Sequence, residues 1–451
     1  MSASIDLGPI LRDYADQLLT HHLVFEQDLL RRTGPLLRGW LPAGRWVLVA
    51  DPVTWAVAGR VVYTSLQEAG AQVQRYTVEP AAGQAAPVAD DAGVDALVAR
   101  LRGEGASVAV AVGAGTVNDI VKTAADRLGL PYAAVATAPS MNGYTSALSA
   151  LLSGGVKITT PCRPPVACLI DLDVVARAPY RMIASGLGDL MSKPVSNADW
   201  RLAYRLVGAE YATGAMPLIE AGSRLLDGVG PRLPARDVEA VGRLAASLCV
   251  SGIAMSLAGT TAPSSGGEHL ISHYLDMTHF AWGEPHDFHG CQVGVATLAT
   301  AALYERLAAL SPEQIDVATL VAAHPPWEER EKQVRQRFGV LSAAVLPHAR
   351  QGHPTRPELA RRLHRLQAEW DAVLAEVGQT LLPAAELAAQ LRQAGCPATF
   401  AEIGVTPERA RRAVLDSRDI RSRYTILHLG ADLGLLETWT DAVLAACPAA
   451  S

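Results

Sequence analysis

Ser107-Val-Ala-Val-Ala-Val-Gly113-Ala-Gly115-Thr116-Val-Asn-Asp119 runs from an unbroken apolar stretch, through two glycines, into a helical pattern. A short apolar run closed by glycine reads as a strand buried on both faces. The helix that follows presents its N-terminal N–H groups to whatever lies beyond the strand. Working outward, Arg45 to Ala50 and Gln72 to Val78 read as earlier strands, and Tyr132 to Thr137 as a later one. Helical stretches at Thr54 to Ala69, Ala89 to Arg102 and Val117 to Leu128 separate them. This alternation predicts an open parallel α/β sheet with helices on both faces.

The rhythm breaks at Leu151 to Ile170, where Gly154-Gly155 and Pro161 suggest a hairpin leading into a last strand, Val166 to Asp171. Residues 8–40 have helical periodicity. After Pro179 nearly everything reads as helix, and Leu310 to Thr355 is Pro-spotted and looser. A chain of 451 residues exceeds one ordinary core. The expected division is an α/β nucleotide-binding domain over 1–179 and an all-helical domain over 180–451.

Charge excludes some functions. The net charge of −6 comes from interleaved acids and bases, with no clustered basic face for a nucleic acid. The basic runs Arg361 to Arg365 and Arg409 to Arg412 read as solvated helix faces. Six scattered cysteines form no CxxC pair, which argues against a zinc knuckle or a disulfide framework and for a reducing compartment. No signal-peptide pattern and no apolar run of spanning length is read, so a cytoplasmic protein without a membrane partner is expected.

Two local features carry chemistry. At Gly113 and Gly115 the backbone could approach a pyrophosphate, or the glycines could serve only the steric demands of a tight turn. Asp119 is expected in the first helical turn, where it could order the loop. Asp51, closing the strand at 45–50, could take a ribose hydroxyl pair or cap the next helix. Farther on, five of the twelve histidines lie between 269 and 289: His269, His273, His279, His286 and His289. His269 and His273 are i, i+4 neighbours on a predicted helix, a spacing that suits a metal, and the alternative for the cluster is a set of hydrogen-bonded core histidines. Leu, Ile and Ser between them exclude the zinc-protease pattern. Asp189, set among glycines and apolar residues, is a candidate carboxylate ligand, or else a partner of Lys193.

Five ordered motifs then form a pattern: Gly113-Ala-Gly-Thr-Val-Asn-Asp119, Thr137-Ala-Pro-Ser-Met-Asn-Gly-Tyr-Thr-Ser146, Gly188-Asp189-Leu-Met-Ser-Lys193 with Ala198-Asp-Trp200, Gly267-Glu-His269-Leu-Ile-Ser-His273, and His289-Gly-Cys-Gln-Val-Gly294. Together they resemble the sn-glycerol-1-phosphate dehydrogenase family, within the iron-containing alcohol dehydrogenase and dehydroquinate synthase superfamily. The resemblance covers about residues 40–310. It implies a metal held by Asp189, His269 and His289. It implies a cofactor, NAD or NADP, against Asp51, Gly113, Gly115, Thr116, Asp119, Thr137, Ser140, Ser146 and Leu148. Lys193 and His273 would meet the substrate phosphate and the proton relay. Where the family usually reads Met-Asp-Gly, this chain has Met141-Asn142-Gly143. Asn142, near the substrate hydroxyls, keeps hydrogen bonding and loses the charge.

The implied reaction is metal-dependent hydride transfer at C2 of a polyol phosphate, interconverting dihydroxyacetone phosphate and sn-glycerol 1-phosphate or a relative. Two imidazoles and a carboxylate suit zinc, nickel or iron. A homo-oligomer is expected. The alternatives are a sugar-phosphate cyclase of the dehydroquinate synthase type, and a non-catalytic nucleotide- or metal-binding relative.

Overall fold

The computed structural model describes residues 3–446 apart from 82, 85 and 155. Two compact units are present. The first comprises residues 1–153, 157–190 and 214–261, and the second 154–156, 191–213 and 262–451. The break near residue 179 expected from the sequence marks the end of the sheet. Compact packing instead carries helix Tyr180–Leu190 and the helices of 214–261 with the first unit.

In the first unit, β1 (His22–Glu26), β2 (Arg45–Ala50), β3 (Gln72–Thr77), β4 (Ala106–Gly113), β5 (Tyr132–Ala136) and β8 (Ala167–Asp171) form one parallel sheet in the order β1-β8-β5-β4-β2-β3. The remaining strands, β6 (Leu148–Ser153) and β7 (Val156–Pro161), pair with each other in the expected hairpin, whose Gly155 lies outside the described residues. The central strands are Val- and Ala-rich because both faces are covered. Val108, Val110 and Val112 pack with Leu29, Leu37, Leu48 and Leu66 in one core. Counted from β2, the order is that of a doubly wound sheet whose direction of winding reverses between β2 and β4. Ligands of such sheets bind outside the carboxyl ends of the strands at that reversal. Those ends carry Asp51 and Gly113.

Residues 8–40 are not one helical stretch: two short helical turns precede β1, and helix Thr33–Trp40 follows it. His22–Glu26 is the edge strand of the sheet, bridged on its outer side only at Ser4, and a single residue of its five is buried. Helix Val238–Ala258 is long and apolar enough to cross a membrane by length and composition, against the earlier reading, but 83% of its apolar window is buried within the fold.

The second unit is helical. The stretch 310–355 is not loose: it holds helices Val317–Ala323, Trp327–Phe338 and Ser342–Gly352. The basic runs are only partly solvated. Arg409 is buried, bonded to Leu275 O at 3.0 Å and Thr278 Oγ1 at 2.9 Å. Arg362 pairs with Asp432 at 2.5 Å, while Arg361 and Arg365 face solvent. Cys162, Cys168, Cys249, Cys291 and Cys396 are free and buried, and Cys447 lies outside the described residues.

Candidate nucleotide turn and metal centre

Helix Gly115–Leu128 begins directly after β4 with Ala114 extended and no side-chain cap. Its first N–H groups therefore have no acceptor within the helix. The two glycines do different work. A Cβ on Gly113 would meet Val117 Cβ at 2.6 Å, so this glycine is demanded by packing. A Cβ on Gly115 would meet only Met141 Cγ at 3.4 Å, an ordinary contact. Gly115 is thus the glycine that keeps the mouth of the turn open. Asp51 caps helix Pro52–Thr54: its Oδ1 accepts from Thr54 N at 2.8 Å, and Thr54 Oγ1 accepts from Asp51 N at 3.0 Å.

Asp119 lies in the second helical turn, not the first. Its Oδ1 accepts from Asn118 Nδ2 at 3.2 Å and stands 4.0 Å from Lys122 Nζ. Burial raises the Asp119 carboxyl, and the nearby Lys122 ammonium opposes the rise. Lys122 is fully buried, and no spacing in the sequence marks it. It donates to the carbonyls of Gly143 (2.6 Å), Ser146 (2.9 Å) and Leu148 (3.0 Å). One buried cation thus gathers the loop after β5.

That loop holds the remaining expected residues. Thr137 N donates to Gly113 O at 3.1 Å, and Tyr144 Oη to Ala138 O at 2.9 Å. Ser185 Oγ donates to Ser140 O at 2.9 Å, and Ser146 Oγ accepts from Leu148 N at 3.1 Å. Asn142 donates its backbone N–H to Asp189 Oδ2 at 2.9 Å, and its amide reaches Ser251 Oγ at 3.4 Å. Helix backbones approach the loop closely at two glycines. A Cβ on Gly186 would lie 1.9 Å from Pro139 O, and one on Gly252 2.5 Å from Asn142 O. Asp189 itself is fully buried, at the end of helix Tyr180–Leu190.

In the second unit, helix Gly267–Trp282 carries His269 and His273, and helix His289–Ala308 begins with His289. The His269 and His289 rings lie 5.1 Å apart, and those of His273 and His289 5.5 Å. His279 and His286 form a separate stacked pair at 3.6 Å, with His279 Nδ1 on Glu284 O at 2.6 Å. The run of five therefore divides into three and two. Lys193 starts helix Lys193–Val207, with Nζ donating to Ser264 Oγ.

The imidazoles fit a divalent metal. His269 Nδ1 is bonded to Glu268 Oε1 at 2.7 Å, and His289 Nδ1 to Ser272 Oγ at 3.0 Å. With Nδ1 of each ring committed, Nε2 is the nitrogen that would ligate, oriented from behind as metal-binding histidines usually are. Gln292 Nε2 steadies this arrangement, reaching Ser272 Oγ at 3.2 Å and Asp276 Oδ1 at 2.8 Å.

A family model described as iron-containing alcohol dehydrogenase matches residues 24–179. A glycerol-1-phosphate dehydrogenase [NAD(P)+] of Bacillus velezensis is 31% identical over 387 residues, covering 84% of this chain and 83% of that protein. The chain belongs to the glycerol-1-phosphate dehydrogenase family. The protein of that name from Halalkalibacterium halodurans is 34% identical over 258 residues, which is 57% of this chain and 64% of that one. Among solved structures, a glycerol dehydrogenase from Schizosaccharomyces pombe aligns with a TM-score of 0.59 at 17% identity, over 94% of this chain and 90% of that one. That likeness carries the fold. Family membership makes the chain an oxidoreductase of a class named for NAD(P). Glu268 and Ser272, behind the two imidazoles, and Lys122, behind the loop after β5, sit in no ligand-like spacing, so no sequence signal marks their roles.

Proposed function

We propose that this chain interconverts dihydroxyacetone phosphate and sn-glycerol 1-phosphate, or a closely related polyol phosphate, by hydride transfer at C2. The observation that carries the reading is the pair His269 and His289, each with Nδ1 held from behind, in a chain of this family. Asp189 is the proposed third protein ligand, because a buried carboxylate among apolar residues calls for a cation or a proton. When bound, a divalent ion, zinc before nickel or iron, would polarise the C2 oxygen, and NAD or NADP would supply or take the hydride.

The chain's own groups do the rest. Gly113, Gly115 and Thr116 present N–H groups to the pyrophosphate, with Asp119 ordering the turn beneath them through Lys122. Asp51 keeps one carboxylate oxygen on its cap and offers the other to the ribose. Thr137, Ser140, Ser146 and Leu148 line the cofactor. Lys193 binds the substrate phosphate, and His273 moves the proton of the C2 hydroxyl. Asn142 offers a neutral amide to the substrate hydroxyls. We place the enzyme in the cytoplasm as a homo-oligomer, with neither membrane nor nucleic acid as partner.

The test is oxidation of NADH and NADPH by dihydroxyacetone phosphate, with and without added Zn²⁺, Ni²⁺ or Fe²⁺. Metal-dependent oxidation is expected. With a longer sugar phosphate as substrate, release of phosphate with no net change in NADH would assign a cyclase instead. His269→Ala is expected to lose bound metal and turnover together; a fully active variant would remove the metal site.

A further inference from the structure

His269 is not held by Glu268 alone. Glu268 lies in the first turn of helix Gly267–Trp282, where the helix dipole favours a negative charge. Its Oε1 accepts from Gly266 N at 2.7 Å as well as contacting His269 Nδ1 at 2.7 Å. Its Oε2 is buried and has no hydrogen-bond partner among the described residues. A second buried carboxylate stands beside it. A Cβ on Gly266 would lie 2.5 Å from Asp199 Oδ2 and 2.9 Å from Glu268 Oε2, so only glycine seats both.

Asp199 accepts three hydrogen bonds. Its Oδ1 accepts from Tyr304 Oη at 2.7 Å and Ile426 N at 2.7 Å, and its Oδ2 from Gly267 N at 2.7 Å. Opposite charge comes from Arg423, half-buried, which feels the negative charge of Glu268 and Asp199 and donates to Ser265 O. Two of these contacts, from Arg423 and Ile426, come from the chain beyond residue 320, where no family motif was legible.

We infer that Glu268 is the positioning residue of His269, and that Asp199 and the segment Arg423 to Ile426 hold the Gly266–Glu268 turn so that its carboxylate stays aimed at Nδ1. A buried carboxylate on Nδ1 fixes the tautomer and the plane of the ring and raises the basicity of Nε2. Neutral partners such as Ser272, which serves His289, fix orientation alone. The C-terminal region therefore acts on the metal site through the backbone of one turn. The inference rests on the reading of His269 as a metal ligand.

The experiment uses the full chain, stripped with a chelator. Zn²⁺ affinity is measured by competition with a chromogenic chelator, the Co²⁺ absorption spectrum reports coordination, and thermal unfolding of the apo form is recorded separately. Loss of an outer partner of this kind typically costs about 10–100-fold in metal affinity. Glu268→Ala is expected to show that loss with an altered Co²⁺ spectrum, and Glu268→Gln, which keeps an acceptor oxygen, a smaller one. Arg423→Met is expected to weaken Zn²⁺ binding although it replaces no ligand. Folded Glu268 variants that bind Zn²⁺ as the parent does, with an unchanged Co²⁺ spectrum, would overturn the inference. Should the variants not fold, ¹⁵N spectra of histidine-labelled parent decide it. A His269 ring protonated on Nδ1 supports the inference, and one protonated on Nε2 overturns it. The underlying reading fails separately, if His269→Ala binds Zn²⁺ as tightly as the parent, and this inference then falls with it.

Discussion

Replacing Gly186 with alanine would put a methyl group 1.9 Å from Pro139 O, a backbone atom with no rotamer to retreat to. Overpacking of this kind costs about 1–3 kcal/mol. The expected result is a lower urea midpoint with an unchanged m-value; an unaltered midpoint would refute the close approach. Gly115→Ala is expected to behave differently, because its methyl group meets only Met141. Stability should hold while KM for the nicotinamide cofactor rises, which steady-state kinetics would read. The proposed ligands were legible: histidines crowd one window, and Asp189 stands among apolar neighbours. What backs them was not. Asp199, Gly266 and Ile426 are far apart in the chain, and no periodicity links a carboxylate to the turn it braces.

Lys122 organises a whole element from one position. Lys122→Met would leave the carbonyls of Gly143, Ser146 and Leu148 without their buried cation. Stranding a buried polar group costs about 1–3 kcal/mol, so a comparable or larger loss of stability is expected, together with a raised KM for cofactor. A variant with parental thermal unfolding and kinetics would show that the loop is held by other means. At this scale, legibility followed burial. Fully buried strands such as β4 and β5 announced themselves as unbroken Val and Ala runs. The edge strand β1 did not, since one buried residue in five resembles any half-solvated stretch. Helices over 317–352 were hidden by prolines that follow the first, cap the second at Pro326 and, as Pro347, lie inside the third.

The second unit as a whole stores protons in opposing ways. Burial pushes His428 down to about 3, and burial with the neighbouring His324 takes His353 to about 4. The unfolded chain, with histidines near 6.5, then gains protons first as pH falls, so the stability these groups contribute is present above about 6.5 and lost toward 4. Asp199 runs the other way. Burial, with the adjacent Glu268 carboxylate, lifts it to about 7, so its contribution is full below the unfolded carboxylate range and is lost as pH rises toward 7. Melting temperatures across pH 4.5–7 should separate them. His428→Gln is expected to gain on the parent as pH falls, and Asp199→Asn to gain on it as pH rises. Parallel curves for parent and variants would contradict both assignments. Composition and motif order showed the fold class of the whole chain. They did not show that 214–261 returns to the sheet unit, because one helical pattern carries no mark of which core it joins.

The pairing of β1 with β8 sets a timetable for synthesis. His22 leaves the ribosome long before Ala167, its partner in the sheet, and the apolar helix Val238–Ala258 that completes the same unit comes later still. Contacts so distant in sequence form slowly, and exposed strand edges invite aggregation while they wait. A nascent chain paused before residue 167 would therefore hold β1 and β5 with open edges, and one paused before residue 238 would lack the apolar helix of the unit. Maturation of this enzyme should be largely post-translational and sensitive to chaperone supply.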